Sequence, residues 1–368
     1  MRYDALPSLK GFSLPVTCLL LVFCCLSSAA NRVQAQTLAY VTSPGEGISV
    51  INTATNTVIT TLPVGGDHFW IAMTPDGTRV YTTEQVTNSV TAIDTATNTV
   101  IASIPVGRAP QGIAITPDGT RAYTANAGDS TVSVIDTATN TVIATIPGVA
   151  AFAIAITPDG TRAYAGGNGV SVIDTATNTV ITNVLGDSFV LAVDITPDSK
   201  RAYVTDVSTD TVSVIDTATN TVIATIAVGL SPQGIAITPD GTRAYTANSA
   251  SETVSVIDIA TNSVIATIPV GLDVHDIAIT PDGSRAYAPG DQGANSGVSV
   301  IDTANNTVIT TILVAGFPFK IAITPAPRIP QRKEECKKDG WRNFGPPSGP
   351  FKNQGQCASF IESRSPRR

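Results

Sequence analysis

Two histidines stand in 368 residues, His68 and His275, with Trp70 two positions beyond the first and Asp276 directly after the second. A histidine beside a carboxylate is material for proton transfer or metal binding; ordinary surface or hydrogen-bonded histidines are the bland alternative. Either use requires the fold to bring together groups that lie far apart in the chain. Asp194 is a further anomaly. It fills a slot that holds alanine at Ala72, Ala114, Ala155, Ala236, Ala278 and Ala322, each between aliphatic neighbours. A carboxylate there must be wet, paired or protonated, as a channel-lining group or as a ligand contact.

These slots exist because the chain repeats, and a repeat decides the architecture before any local reading. Ile-Asp or Ile-Asn pairs recur at Ile51, Ile93, Ile135, Ile173, Ile215, Ile257 and Ile301, at steps of 42, 42, 38, 42, 42 and 44 residues. Seven of the eight tyrosines, Tyr40, Tyr81, Tyr123, Tyr164, Tyr203, Tyr245 and Tyr287, keep the same beat. One unit reads as four short β-branched strands: Gly112–Thr116 (A), Arg121–Ala125 (B), Thr131–Ile135 (C) and Thr141–Ile146 (D). Pro117-Asp-Gly119 makes the A–B turn, and Asp136-Thr-Ala-Thr-Asn140 makes the C–D turn through Asp and Asn bonding to their own backbone. No 3.6-residue pattern appears, so a helical solenoid is excluded and a propeller blade fits. The repeats open on a B-type strand, Leu38–Thr42, and finish on an A-type strand, Lys320–Pro325. The expected fold is therefore all-β: a seven-bladed β-propeller of four-stranded blades over residues 36–325, its last blade closed by the N- and C-terminal strands.

In such a meander the A–B and C–D turns share one face and the B–C and D–A connections the other. The first set is nearly copied from unit to unit. The second is individual, from Gly166–Gly169 to Pro289–Gly297, and rigid scaffolds concentrate function in loops of that kind. The residues entering the A strands form the candidate ring: Phe69 and Trp70, Gln111, Phe152, Gln233, His275 and Asp276, Phe319 and Lys320, with His68 just before and Asp194 further along. Aromatics with sparse polar groups suit a sugar, peptide or small ligand, or else simply plug the channel. The repeated Asp118 and Arg121 types read as structural, because a pair present in nearly every blade cannot specify one site.

Composition bounds the rest. The chain is 43% hydrophobic and 14% charged, which excludes a disordered or coiled-coil chain. Its formal charge of −7 hides a basic start (+2 over residues 1–36), a basic end (+6 from Ala326) and an acidic middle of −15. An acidic body disfavours nucleic acid as a partner. Residues 1–35 read as a signal peptide, with an apolar run Val16–Leu26 and a cleavage signal at Val33-Gln-Ala35; no later stretch is apolar enough to span a membrane. The mature chain is then expected to be secreted, extracellular or at the cell surface, or periplasmic in a two-membrane host. Cleavage leaves Cys336 and Cys357, an even pair that reads as one disulfide rather than a metal site. No cofactor and no metal is implied.

The Tyr40-Val-Thr42, Tyr203-Val-Thr-Asp206, Thr-Pro-Asp-Gly and Val-Ile-Asp-Thr-Ala-Thr-Asn runs resemble the YVTN β-propeller repeat family over roughly residues 38–325. The resemblance implies surface-layer-like, exported proteins rather than one activity. Residues 326–368, basic and Pro-rich, resemble a short cysteine-flanked C-terminal cassette of exported bacterial proteins, whose charge would dock an anionic envelope polymer or the acidic propeller itself. The expected role is a non-catalytic binding or surface-interaction module that takes a protein, peptide or envelope polysaccharide on its variable face. The alternative is a propeller enzyme, lactonase-, lyase- or quinoprotein-like, acting at the central channel. The tryptophan that quinoprotein repeats use for docking is missing here.

Overall fold

A computed structural model describes residues 37–271, 273–291 and 296–325, with the Asp187 side chain excepted. The expected signal peptide, tail and Cys336–Cys357 pair lie outside the described residues. Every regular element among those described is a strand, and all pairing is antiparallel. One complete repeat runs Pro110–Ile115, Arg121–Asn126, Thr131–Asp136 and Thr141–Pro147, in that order from one edge of its sheet to the other. The β-branched and Tyr-bearing middle strands are almost wholly buried, whereas the outer strand alternates toward solvent. Each A–B turn works as its residues dictate. Asp118 accepts from Thr116 Oγ1 (2.6 Å) and Thr120 N (3.0 Å), while Gly119 takes a φ of +74° that a Cβ would oppose. Ser199 holds that position at +62° in the one unit lacking the glycine, and its hydroxyl accepts from Asp159 N of the preceding repeat.

The first and last described strands pair with one another. Ile321–Ile323 lies against Leu38–Ser43, in register Ala39 to Ile323, and that pair continues into Gly47–Asn52 and Thr57–Leu62. Around residues 151–227 the structure differs from seven separate quartets. Arg162–Asp174 and Thr179–Ile195 run unbroken through the short loops expected there, so that Thr179–Ile195 supplies both the outer strand of one quartet and the inner strand of the next. Gly166–Gly169 is a short connection at which this segment folds back on itself, and at the other end of that hairpin Thr175 N donates to Thr161 O just as Thr137 N donates to Thr120 O one repeat earlier.

The apolar core lies between consecutive repeats. Each buried cluster mixes two neighbours, as where Tyr123, Val132 and Val134 pack on Ile154, Ala163 and Ile173. The last repeat packs on the first in the same way, Tyr287, Val298 and Val300 meeting Ala39, Val41 and Ile51. A second device crosses every one of these junctions. The hydroxyl of each repeat tyrosine donates to the side-chain oxygen of a C–D turn asparagine in the next repeat: Tyr81 to Asn140 (2.9 Å), Tyr123 to Asn178 (2.7 Å), Tyr203 to Asn262 (2.8 Å), and Tyr287 back to Asn56 (2.8 Å). Those asparagines sit at φ near +55°, a conformation asparagine tolerates better than most residues. Asp136 bonds its own turn amides as the sequence implies, but Asn140 spends its side chain on the neighbour instead. Six arginines add a parallel link, Arg243 Nη1 reaching Thr303 O (2.8 Å) and Arg285 Nη1 reaching Thr53 O (2.7 Å). The repeated arginine is thus structural, as its recurrence implied. Burial raises the tyrosine hydroxyls above their usual range and keeps them donors. Tyr40 goes furthest, to about 12, because Leu38 stands where the other six repeats place the arginine that opposes the rise.

Candidate functional site

The innermost strand of each repeat lines a cavity of about 450 Å³. Its wall is mostly small and aliphatic, with Trp70, Asp194, Asp276 and Lys320 as the exceptions in kind. The strand register explains the ring read from the sequence. Ala72, Ala114, Ala155, Ala236, Ala278 and Ala322 each face their repeat's tyrosine across the ladder, and Asp194 faces Tyr203 in the same place. One residue pair nearer the variable loops, the inner strands bulge: between His68 and Ile71, Pro110 and Ile113, Ala151 and Ala153, Val190 and Val193, and Pro232 and Gly234. Phe69, Trp70, Gln111, Phe152 and Gln233 lie within those bulges, together with Gly112, Leu191 and Ala192. A bulge re-aims side chains that a regular ladder would bury between sheets.

The structure gathers part of the ring and separates the rest. At the channel mouth Phe319 meets Phe69 (ring centroids 5.4 Å) and Trp70 (5.5 Å), and Phe317 lies alongside at 6.3 Å. His275 packs its ring on both Phe317 (4.8 Å) and Phe319 (5.0 Å); its Nδ1 is 2.8 Å from Gln233 Oε1, and its Nε2 is 3.3 Å from the Asp273 carboxylate. Burial lowers its pKa, against the upward pull of the Asp273 carboxylate. Lys320 is buried. Its Nζ donates to Asp276 Oδ1 (3.2 Å) and His275 O (3.3 Å), and lies 5.1 Å from the Trp70 ring centre. Asp276 Oδ2 accepts from Ile321 N (3.1 Å). Seven ring candidates, Phe69, Trp70, Gln233, His275, Asp276, Phe319 and Lys320, therefore form one continuous patch, while Phe152 pairs instead with Phe189 (5.3 Å). Gln111 stays half-buried on its own bulge.

Two placements correct the reading of residue types. His68 does not join the ring: it is buried behind it, 4.0 Å from the equally buried Glu84, and burial lowers its pKa. It shares no contact with His275, so the two histidines do not make one site. Asp194 is not freely solvated. Its Oδ1 accepts from Ile195 N (2.8 Å) and its Oδ2 from Ile237 N of the next inner strand (2.7 Å). Burial, aided by the Asp276 charge, still pushes it up to about 6, since the two amides only partly offset the lost hydration. Sequence reasoning passed over Phe317, Asp273 and Glu84. Phe317 was detectable, because it precedes Phe319 by two residues and so shares its side of an extended chain.

Among the described residues no group of His, Cys, Asp or Glu has the gathering that would hold a metal ion, and no helix is long and apolar enough to cross a membrane. Crevices at the opposite end, such as that between Asp118, Arg121 and Asp159, recur around Asp240, Arg243 and Asp282, and so mark no single site.

Four-stranded antiparallel sheets packed repeat on repeat around a channel define a β-propeller. Residues 195–289 match the family model described as YNCE-like beta-propeller. Among solved structures, a chain of hydrazine synthase from Kuenenia stuttgartiensis is similar at 26% identity and a TM-score of 0.65, with 71% of this chain and 90% of that one covered. A functionally unknown protein from Desulfotomaculum acetoxidans DSM 771 is similar at 19% identity and a TM-score of 0.68, over 78% of this chain and 99% of that one. No curated protein matches the chain.

Proposed function

We propose that the chain is a closed, seven-bladed propeller of YVTN type, exported to the cell surface or beyond, that works as a non-catalytic binding module through its variable face. The carrying observation is the half-buried aromatic patch of Phe69, Trp70, Phe317 and Phe319 at the channel mouth, backed by the fixed polar groups of Gln233, His275, Asp276 and Lys320. Aromatic faces supply contact area at low entropic cost, and a few rigidly held polar groups orient what lands on them. Closure is supported by the pairing of Ile321–Ile323 with Leu38–Ser43 and by the Tyr287–Asn56 bond. The basic segment 326–368, read as a disulfide-closed cassette, would assist retention at the envelope.

An enzyme acting at the channel is the second reading, favoured by the likeness to a chain of hydrazine synthase. The separate placement of His68 and His275 weighs against a paired-histidine mechanism. The test is retention on envelope polysaccharide, peptidoglycan and envelope protein fractions at low salt, comparing the wild type with Trp70→Ala and Phe319→Ala. Retention of the wild type and its loss in both variants is expected. Failure with every fraction, or turnover that disappears with Asp194→Ala, would overturn the module reading.

A further inference from the structure

The variable end of the molecule is both aromatic and strongly acidic. Its described loops carry Glu46, Asp67, Asp129, Asp210, Glu252 and Asp273 at least partly exposed, and among the described residues of those loops the cations are Arg108 and the buried, ion-paired Lys320. The opposite end mixes signs, because turn aspartates such as Asp118 and Asp136 have Arg121 of their own unit nearby. Whatever rests on the aromatic patch therefore meets a negative field, which attracts basic partners and repels anionic polymers.

The channel below the patch adds depth to that selection. Asp276 and Lys320 neutralise one another at the mouth, which leaves the Asp194 carboxylate as the remaining charge in the cavity wall. Asp194 lies two residues further along its inner strand than the level of Asp276, or about 7 Å at the usual rise. The four-carbon stem of a lysine spans a depth of that order, passing the Trp70 and Phe319 rings on the way. An ammonium carried directly on a sugar ring has no such stem. Alanine side chains at the Asp194 level leave the bore open for it.

We infer that the patch binds a basic, aromatic-containing polypeptide segment and that one of its lysine side chains enters the channel toward Asp194, flanked by Asp276, Lys320, His275 and Asp273. This rests on the binding-module reading above and narrows it to one partner class. The probe is a fluorescein-labelled peptide of alternating phenylalanine and lysine, compared by fluorescence anisotropy with its Nε-acetyl-lysine and glutamate counterparts, all on the full chain. The lysine peptide is expected to bind at least about ten-fold more tightly than either counterpart. Asp194→Ala should reduce that affinity about ten-fold while leaving the melting temperature no lower, since alanine is what six other repeats carry in this slot. Equal binding of the three peptides overturns the inference. So does charge-selective binding that ignores Asp194→Ala, which would mark attraction to the acidic loops alone. If the peptide fails but envelope fractions are still retained in a Trp70-dependent way, the module reading survives and only the partner class falls.

Discussion

The two ends of the strands are built on opposite principles. At the turn end, Thr-Pro-Asp-Gly and Asp-Thr-Ala-Thr-Asn recur with little change, and their side chains are consumed internally: aspartates by turn amides, asparagines by the preceding repeat's tyrosine, arginines by the next repeat's carbonyls. At the loop end, few positions match between repeats, and bulges in the inner strands turn unlike residues toward the channel. The comparison teaches that repetition here marks cohesion, while departure from it gathers the residues of the proposed binding patch. A substitution at the first end should be read in stability, and one at the second in binding.

The sharpest challenge to the first half removes the joint between the last repeat and the first. A chain ending at Phe319 should lose cooperative thermal unfolding relative to a chain ending at Pro325, because residues 38–43 would be left with an unpaired inner edge and an opened core against Ile321. Equal melting curves for the two would dissolve the ring.

Next in size is the latch. Asn262→Ala leaves the Tyr203 hydroxyl without its acceptor and forces a non-glycine residue with no polar side chain to hold φ +49°, at a cost of about 2–3 kcal/mol. Asn262→Gly and Tyr203→Phe should each cost about 1 kcal/mol. Their double variant should cost less than the sum if the bond is real. Urea unfolding measures all four.

The smallest effect separates the channel from both ends. The Asp194 carboxyl titrates near 6 in the fold against an ordinary value near 3.8, so the native state holds its proton where the unfolded chain has released it. Stability owed to this group is therefore full below about pH 4, declines as the pH rises toward 6 and is flat above. The difference in melting temperature between the wild type and Asp194→Ala should shift against the wild type across that interval. A pH-independent difference would show that the two amides hold the carboxylate ionised throughout. Turn aspartates such as Asp118 and Asp240, whose hydrogen bonds hold them below their usual range, act in the opposite sense and only at lower pH, as their stabilisation is lost on acidification.

Legibility followed the same division. Strand positions could be read almost to the residue, since Thr131–Ile135 became Thr131–Asp136 and Thr141–Ile146 became Thr141–Pro147. The unbroken strands Arg162–Asp174 and Thr179–Ile195 were not readable, because whether a short connection interrupts a strand depends on backbone angles that composition leaves free. Of the candidate ring, the joining of Phe319 to Trp70 and of His275 to Gln233 rewards reading by repeat position. The exile of His68 shows the limit: it precedes the bulge by one residue, and in a strand one residue is the difference between two faces.

What the residues determined unaided is the period, the strand content and the slot in which Asp194 replaces alanine, since these follow from local pattern and self-comparison along the chain. Three things were decided only by the tertiary structure: which asparagine answers which tyrosine, that Asp194 is held by an amide 43 residues away, and that four aromatic rings meet beside one ion pair. The reason is physical. Hydrogen bonds and ring contacts between repeats depend on how far each sheet is rotated against the next, and that rotation is set by side-chain packing at the junction rather than by any single segment's preferences.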